Sequence, residues 1–192
     1  VGTQALYAYE KACGVRMQTE ATATQDIDLL LDNREYLQFA STMRSLDTAL
    51  LDIFQKTDKT FTLPDEQKYA AVNTAGFEID AIRRKAYNGD SHPLRVSDFE
   101  DDFWAVQVSS GKALLDGGSF TQAVVATNGS MVTLCAPSPA NFVHIKTALS
   151  KRQDRDPLKS RKDLPQAKLV QRMLDEYRLQ HVADAQKRSA PI

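Results

Sequence analysis

Asp26 and Asp28 stand two residues apart in the run Asp26-Ile27-Asp28-Leu29-Leu30-Leu31, and Asp80 follows the short apolar phrase Gly76-Phe77-Glu78-Ile79. Side chains two apart on a strand share a face, so Asp26 and Asp28 would project side by side while Ile27, Leu29 and Leu31 turn towards a core. Adjacent carboxylates repel each other unless a cation or a proton lies between them. With Asp80 supplied by a neighbouring strand, the three would form an oxygen-only cradle of the kind that holds Mg²⁺ against a triphosphate. Asp-x-Asp also occurs as the solvated face of an ordinary strand, so the pair needs its context.

The context comes from the elements around it. Thr3 to Cys13 is rich in helix formers, with Leu6, Tyr9 and Cys13 on one stripe, Thr3 as a candidate N-cap and Gly14 as the C-cap. Gly2-Thr3 could equally offer backbone N–H groups and a hydroxyl to phosphate oxygens, because a helix start carries partial positive charge. The Asp26–Leu31 strand follows a polar stretch, and residues 34–55 read as one or two helices using Leu37, Met43, Leu46, Leu50 and Phe54. Thr60 to Leu63, Lys68 to Asn73 and Phe77 to Ile82 read as extended, separated by turn signals, and Asn88 to Asp102 as a loop. Further strands are expected at Phe103 to Val108, Lys112 to Leu115, Thr121 to Ala126 and Ser130 to Cys135. From Ser138 the apolar spacing changes to three and four, giving two helices joined near Asp154 to Pro157, with Pro165 either in a first turn or kinking a longer helix. The last dozen residues are expected to fray. The order α, mixed β, α predicts an α+β fold.

Composition narrows the classes. At 192 residues, 42% hydrophobic and 26% charged, the chain can bury a core without staples. Cys13 and Cys135, each in an apolar stretch, read as buried reduced thiols, which points to a cytoplasmic protein. There is no long apolar run, so no membrane partner is expected. The chain starts at Val1 in packed-looking sequence, which suggests a piece of a longer protein. From His144 to Arg188, 12 Lys and Arg face 6 Asp and Glu, a local +6; the remainder, 12 against 19, carries −7, and the sum is the net −1. An acidic part and a basic tail suit a site where metal and polyphosphate meet, or simply two solvated faces. His92, His144 and His181 show no metal-ligand spacing with the cysteines, and His144 reads as a partly buried helix residue. Neither a Walker-type loop nor a Ser/His/Asp pattern is present.

Taken together, Gly2-Thr3 at a helix start, Ala23-Thr24-Gln25-Asp26-Ile27-Asp28-Leu29-Leu30 and Gly76-Phe77-Glu78-Ile79-Asp80 resemble the nucleotidyltransferase superfamily related to DNA polymerase β. More narrowly they are similar to a bacterial family of that fold, a likeness that extends through Pro137-Ser138-Pro139-Ala140-Asn141-Phe142-Val143-His144-Ile145-Lys146 and Lys159-Ser160-Arg161-Lys162-Asp163. The superfamily's strand before the glycine is absent here. The resemblance implies a mixed sheet flanked by helices, a catalytic domain over 1–136 and a C-terminal helical subdomain over 137–192. It implies that Asp26, Asp28 and Asp80 are catalytic and hold Mg²⁺ or Mn²⁺, and that Gly2, Thr3, Lys146 and Lys162 contact the nucleotide. Lys162 and Asp163 could also form an ion pair at a helix start. The implied reaction moves a nucleoside monophosphate from an NTP to a hydroxyl acceptor (protein, tRNA or small molecule). The alternatives are a non-catalytic nucleotide-binding or regulatory module and a toxin–antitoxin component acting on protein or tRNA.

Overall fold

The apolar run after Asp26 does form a strand, β1 (Asp26–Leu31), and it pairs in parallel with β3 (Glu78–Arg83) in a five-stranded mixed sheet. In this computed structural model residues 1–32, 36–66 and 68–189 are described. The other edge of β3 is shared. Antiparallel β2 (Ala70–Val72) pairs with its first half and parallel β5 (Trp104–Gln107) with its end, while β4 (Leu94–Arg95) closes the order β1-β3-β5-β4. Alternation sorts the two faces. Ile79, Ala81, Ala71, Phe103 and Ala105 form one core with Leu50 and Phe61, and Leu29 and Leu31 pack against it. The residues between them, including Asp28 and Asp80, therefore lie on the opposite face.

Helices α3 (Tyr36–Ser45) and α4 (Leu50–Thr57) precede β2; the expected helix start at residue 34 lies outside the described residues. Helix α4 is capped from a distance, because the buried Asp102 carboxylate accepts the backbone N–H groups of Leu50 at 2.8 Å and Leu51 at 3.2 Å. Of the expected extended segment Thr60 to Leu63, only a single bridge, Thr62 to Val72, forms. The expected loop contains the short strand β4.

These elements form a compact unit spanning Gln25–Lys112, and the second unit joins Val1–Thr24 to Ala113–Ile192. The compact units thus follow a different partition from the expected division at 136/137. The physical reason is α1 (Ala5–Cys13): its Leu6 and Tyr9 share a core with Phe120, Phe142, Val170, Met173 and Leu179. Tyr9 is fully buried, stacks edge-on against Phe120 and Phe142, and donates its hydroxyl to the Pro137 carbonyl at 2.6 Å. Burial pushes its pKa upwards. Gly14 ends α1 in the left-handed region, as expected.

In the same unit β6 (Ser119–Val125) and β7 (Met131–Pro137) form an antiparallel hairpin, followed by α6 (Pro139–Leu149), α7 (Pro157–Glu176) and α8 (Leu179–Ser189). Three expectations fail here. Lys112 to Leu115 is part of helix α5 (Gly111–Asp116): so short an apolar run carries no decisive period, and its residues favour helix. Cys135 is exposed, because it alternates with Leu134 and Ala136, which take the core side of the hairpin. His144 is also exposed, on the side of α6 away from the buried Phe142 and Ile145. The chain also continues helical to Ser189, where fraying was expected. Pro165 lies inside α7, so that helix is continuous through it.

Candidate active site

Parallel pairing sets Asp28 directly opposite Asp80 and Asp26 opposite Glu78. Paired residues on adjacent strands point to the same side, so all three aspartates occupy one face of one sheet, away from the core of this unit. Each is half-buried. A β1 shifted by one residue would put the aspartates into the core and Ile27 into solvent, so the apolar alternation fixes the register. Such an arrangement presents carboxylate oxygens from adjacent strands, the donor chemistry a hard divalent cation takes. The side chains do not yet converge into a complete ligand set. Among the described residues no three His, Cys, Asp or Glu side chains are grouped so as to hold a metal ion. Asp26, Asp28 and Asp80 each have other interaction partners.

The remaining expected site residues belong to the other unit. Gly2 opens a short 3-10 turn (Gly2–Gln4) with φ 71°, a left-handed conformation that a side chain disfavours. Thr3 is not an N-cap: no side-chain cap bond forms at this helix start, and the Thr3 hydroxyl instead accepts from Gln166 Nε2 at 3.3 Å. Lys162 is exposed and donates to the Ala23 carbonyl at 2.9 Å.

Lys146 has a different setting from the one its position implied. Its side chain is buried and its ammonium donates to Asp163 Oδ1 at 2.8 Å. Arg155 Nε reaches the other oxygen of the same carboxylate at 2.9 Å. Burial alone would raise the Asp163 pKa, but the hydrogen bonds from Arg155 and Lys146 outweigh it and hold the carboxyl below its ordinary value. Asp163 thus pairs across helices with Lys146 and Arg155 rather than with its neighbour Lys162. Sequence reasoning missed this triad because the partners are 8 and 17 residues away. It also missed Gln166, whose amide donates to Thr3 and, at 2.9 Å, to the Ala21 carbonyl, tying the helix start to α7. The available signal was that Asp163 and Gln166 fall on the same three- and four-residue stripe of α7 as Ala167, Val170 and Met173.

No described helix is long and apolar enough to cross a membrane. Comparison with known proteins returns a family model described as nucleotidyltransferase, matched over residues 1–191. No curated protein and no solved structure matches the chain. The mixed sheet flanked by helices is consistent with the nucleotidyltransferase fold. Matched over nearly its whole length, the chain belongs to this nucleotidyltransferase family.

Proposed function

We propose that the protein is a polymerase-β-like enzyme that transfers a nucleoside monophosphate from an NTP to a hydroxyl acceptor, with Asp26, Asp28 and Asp80 holding Mg²⁺. The observation that carries this reading is the Asp28–Asp80 pairing with Asp26 on the same strand face. A bound divalent ion would supply neutralisation of the triphosphate and a lowered pKa for the attacking hydroxyl. The chain's own work is to orient and to move a proton. Asp80 takes the proton of the acceptor hydroxyl, whose oxygen bonds to the α-phosphorus as the bond to the bridging oxygen breaks. Pyrophosphate leaves with that electron pair, and Asp80 returns its proton to water. Asp26 and Asp28, fixed by β1, hold position while the reacting groups align. The second reading is a nucleotide-binding module of the same fold without turnover.

The deciding experiment follows label from an α-phosphate-labelled NTP into product with Mg²⁺ or Mn²⁺, against tRNA, protein and small-molecule acceptor pools. Asp28→Asn and Asp80→Asn should each lower incorporation by about 10²–10⁴-fold. Full incorporation by either variant refutes the metal assignment. NTP affinity without pyrophosphate release in the wild type establishes the binding-module reading instead.

A further inference from the structure

The shared edge of β3 leaves a gap where its partner changes. Ala70 of β2 is level with Asp80, whereas Val106 of β5 takes over at Ile82, and the Trp104 N–H bonds the Lys68 carbonyl at 2.8 Å. There the unit holds a cavity of about 490 Å³, lined among others by Asp65, Glu66, Tyr69, His92, Trp104 and Gln107. That volume falls within the range of about 300–1,000 Å³ typical of small-molecule sites.

Its polar groups are set by a fully buried cation. Arg83 donates to the Ser91 carbonyl at 3.0 Å and lies 3.0 Å from His92 Nδ1 through Nη2. A guanidinium only donates, so Nδ1 must accept, and the ring proton resides on Nε2. Gln107 is oriented as well: its Oε1 accepts the Ala86 N–H at 2.8 Å, which turns its amide nitrogen towards the His92 ring, 3.0 Å from Nδ1 and 3.2 Å from Nε2. The cavity therefore combines two aromatic side chains, an imidazole N–H donor and two carboxylates able to accept.

We propose that this cavity binds the nucleobase of the acceptor, a base bearing an exocyclic amino group. Tyr69 and Trp104 provide apolar ring surface, and stacking on such surface is the sequence-tolerant part of base recognition. His92 Nε2–H meets a ring nitrogen or carbonyl, and the Asp65 and Glu66 carboxylates accept from the amino group. The location suits an acceptor. Alternation puts Trp104 and Val106 on the face that carries Asp80, and the backbone N–H of Trp104 is bonded to Lys68, two residues before the residue level with Asp80. The acceptor role rests on the transfer reaction proposed above, but base binding can be tested without it.

Trp104 is the sole tryptophan of the chain, so its fluorescence reports on this cavity directly. Adenosine, cytidine and uridine are titrated without metal or triphosphate. Adenosine and cytidine should change the emission saturably, with uridine at least about fivefold weaker, the ratio that one lost amino contact is expected to give. Tyr69→Ala alters an exposed side chain and should leave the fold intact, whereas His92→Ala also deprives the buried Arg83 of an acceptor and is titrated at a temperature where circular dichroism shows the native signal; each should weaken binding by about tenfold. No saturable change with any nucleoside, equal response to uridine, or unaltered binding by both variants overturns the assignment. Asp28→Asn should leave the titration unchanged. Loss of transfer in that variant without nucleoside binding by the wild type would sink the cavity assignment alone. Nucleoside binding with transfer intact in Asp28→Asn would sink the metal assignment alone.

Discussion

Replacing Lys146 by methionine separates two roles for this side chain, buried counter-ion and nucleotide-facing cation. Methionine keeps most of the aliphatic stem and removes the ammonium that lies 2.8 Å from Asp163. Asp163 is completely buried, so an uncompensated charge there would cost about 3–5 kcal/mol. Arg155 still holds the other carboxylate oxygen, so the loss is closer to one charge-assisted hydrogen bond, about 1.5–3 kcal/mol. In a chain of this size each kcal/mol moves the thermal midpoint by about 2–4 °C, so Lys146→Met should lower it by about 3–12 °C. Lys162→Met removes only an exposed bond to the Ala23 carbonyl and should stay within about 0.5 kcal/mol of wild type. The assay is thermal unfolding by circular dichroism without nucleotide, followed by NTP titration well below the transition. Lys146→Met combined with Asp163→Leu and Arg155→Met should regain much of the lost midpoint, because it removes all three charges of the triad together. An unchanged midpoint for Lys146→Met together with about a tenfold loss of NTP affinity would refute the reasoning and return Lys146 to the nucleotide.

The same triad sets an acid dependence. The folded state holds the Asp163 proton affinity below the unfolded value of about 4, so its contribution is complete above that pH and fades as pH falls through the lowered folded value. Urea midpoints measured from about pH 5 to pH 2 should fall less steeply for Asp163→Asn than for the wild type. Ile79→Asp puts a charge into the core of the central sheet, where Ile79 is 3% exposed, and should unfold that unit, whereas Glu78→Lys on the other face should be tolerated; a folded Ile79→Asp would invert the assigned faces. Gly111→Ala would place its Cβ 2.5 Å from the Arg84 Cα, and the forced backbone shift should cost about 1–3 kcal/mol in denaturant unfolding.

How much could be read without coordinates depended on how far apart the interacting residues lie. Strand β1, its inward Leu29 and Leu31 and the outward aspartates follow from a two-residue period that any strand must obey. Gly14 as a helix end follows from a backbone conformation that glycine adopts at little cost. Lys112 to Leu115 became a helix because four apolar or helix-forming residues do not define a period. Cys135 became exposed because an apolar neighbourhood in sequence does not reveal which side of a hairpin meets the core.

The sequence by itself determined which carboxylates share a strand face and which side chains must avoid water, since alternation and hydrophobicity act between near neighbours. Tertiary structure alone decided that β3 pairs in parallel with β1 and brings Asp80 level with Asp28 across about fifty residues of chain. It also decided that Asp163 recruits Lys146 and Arg155 rather than Lys162, and that two strands sharing one edge of β3 leave a cavity beside Trp104. Those outcomes depend on which surfaces pack together and which buried charges must then find partners, and no local pattern encodes either.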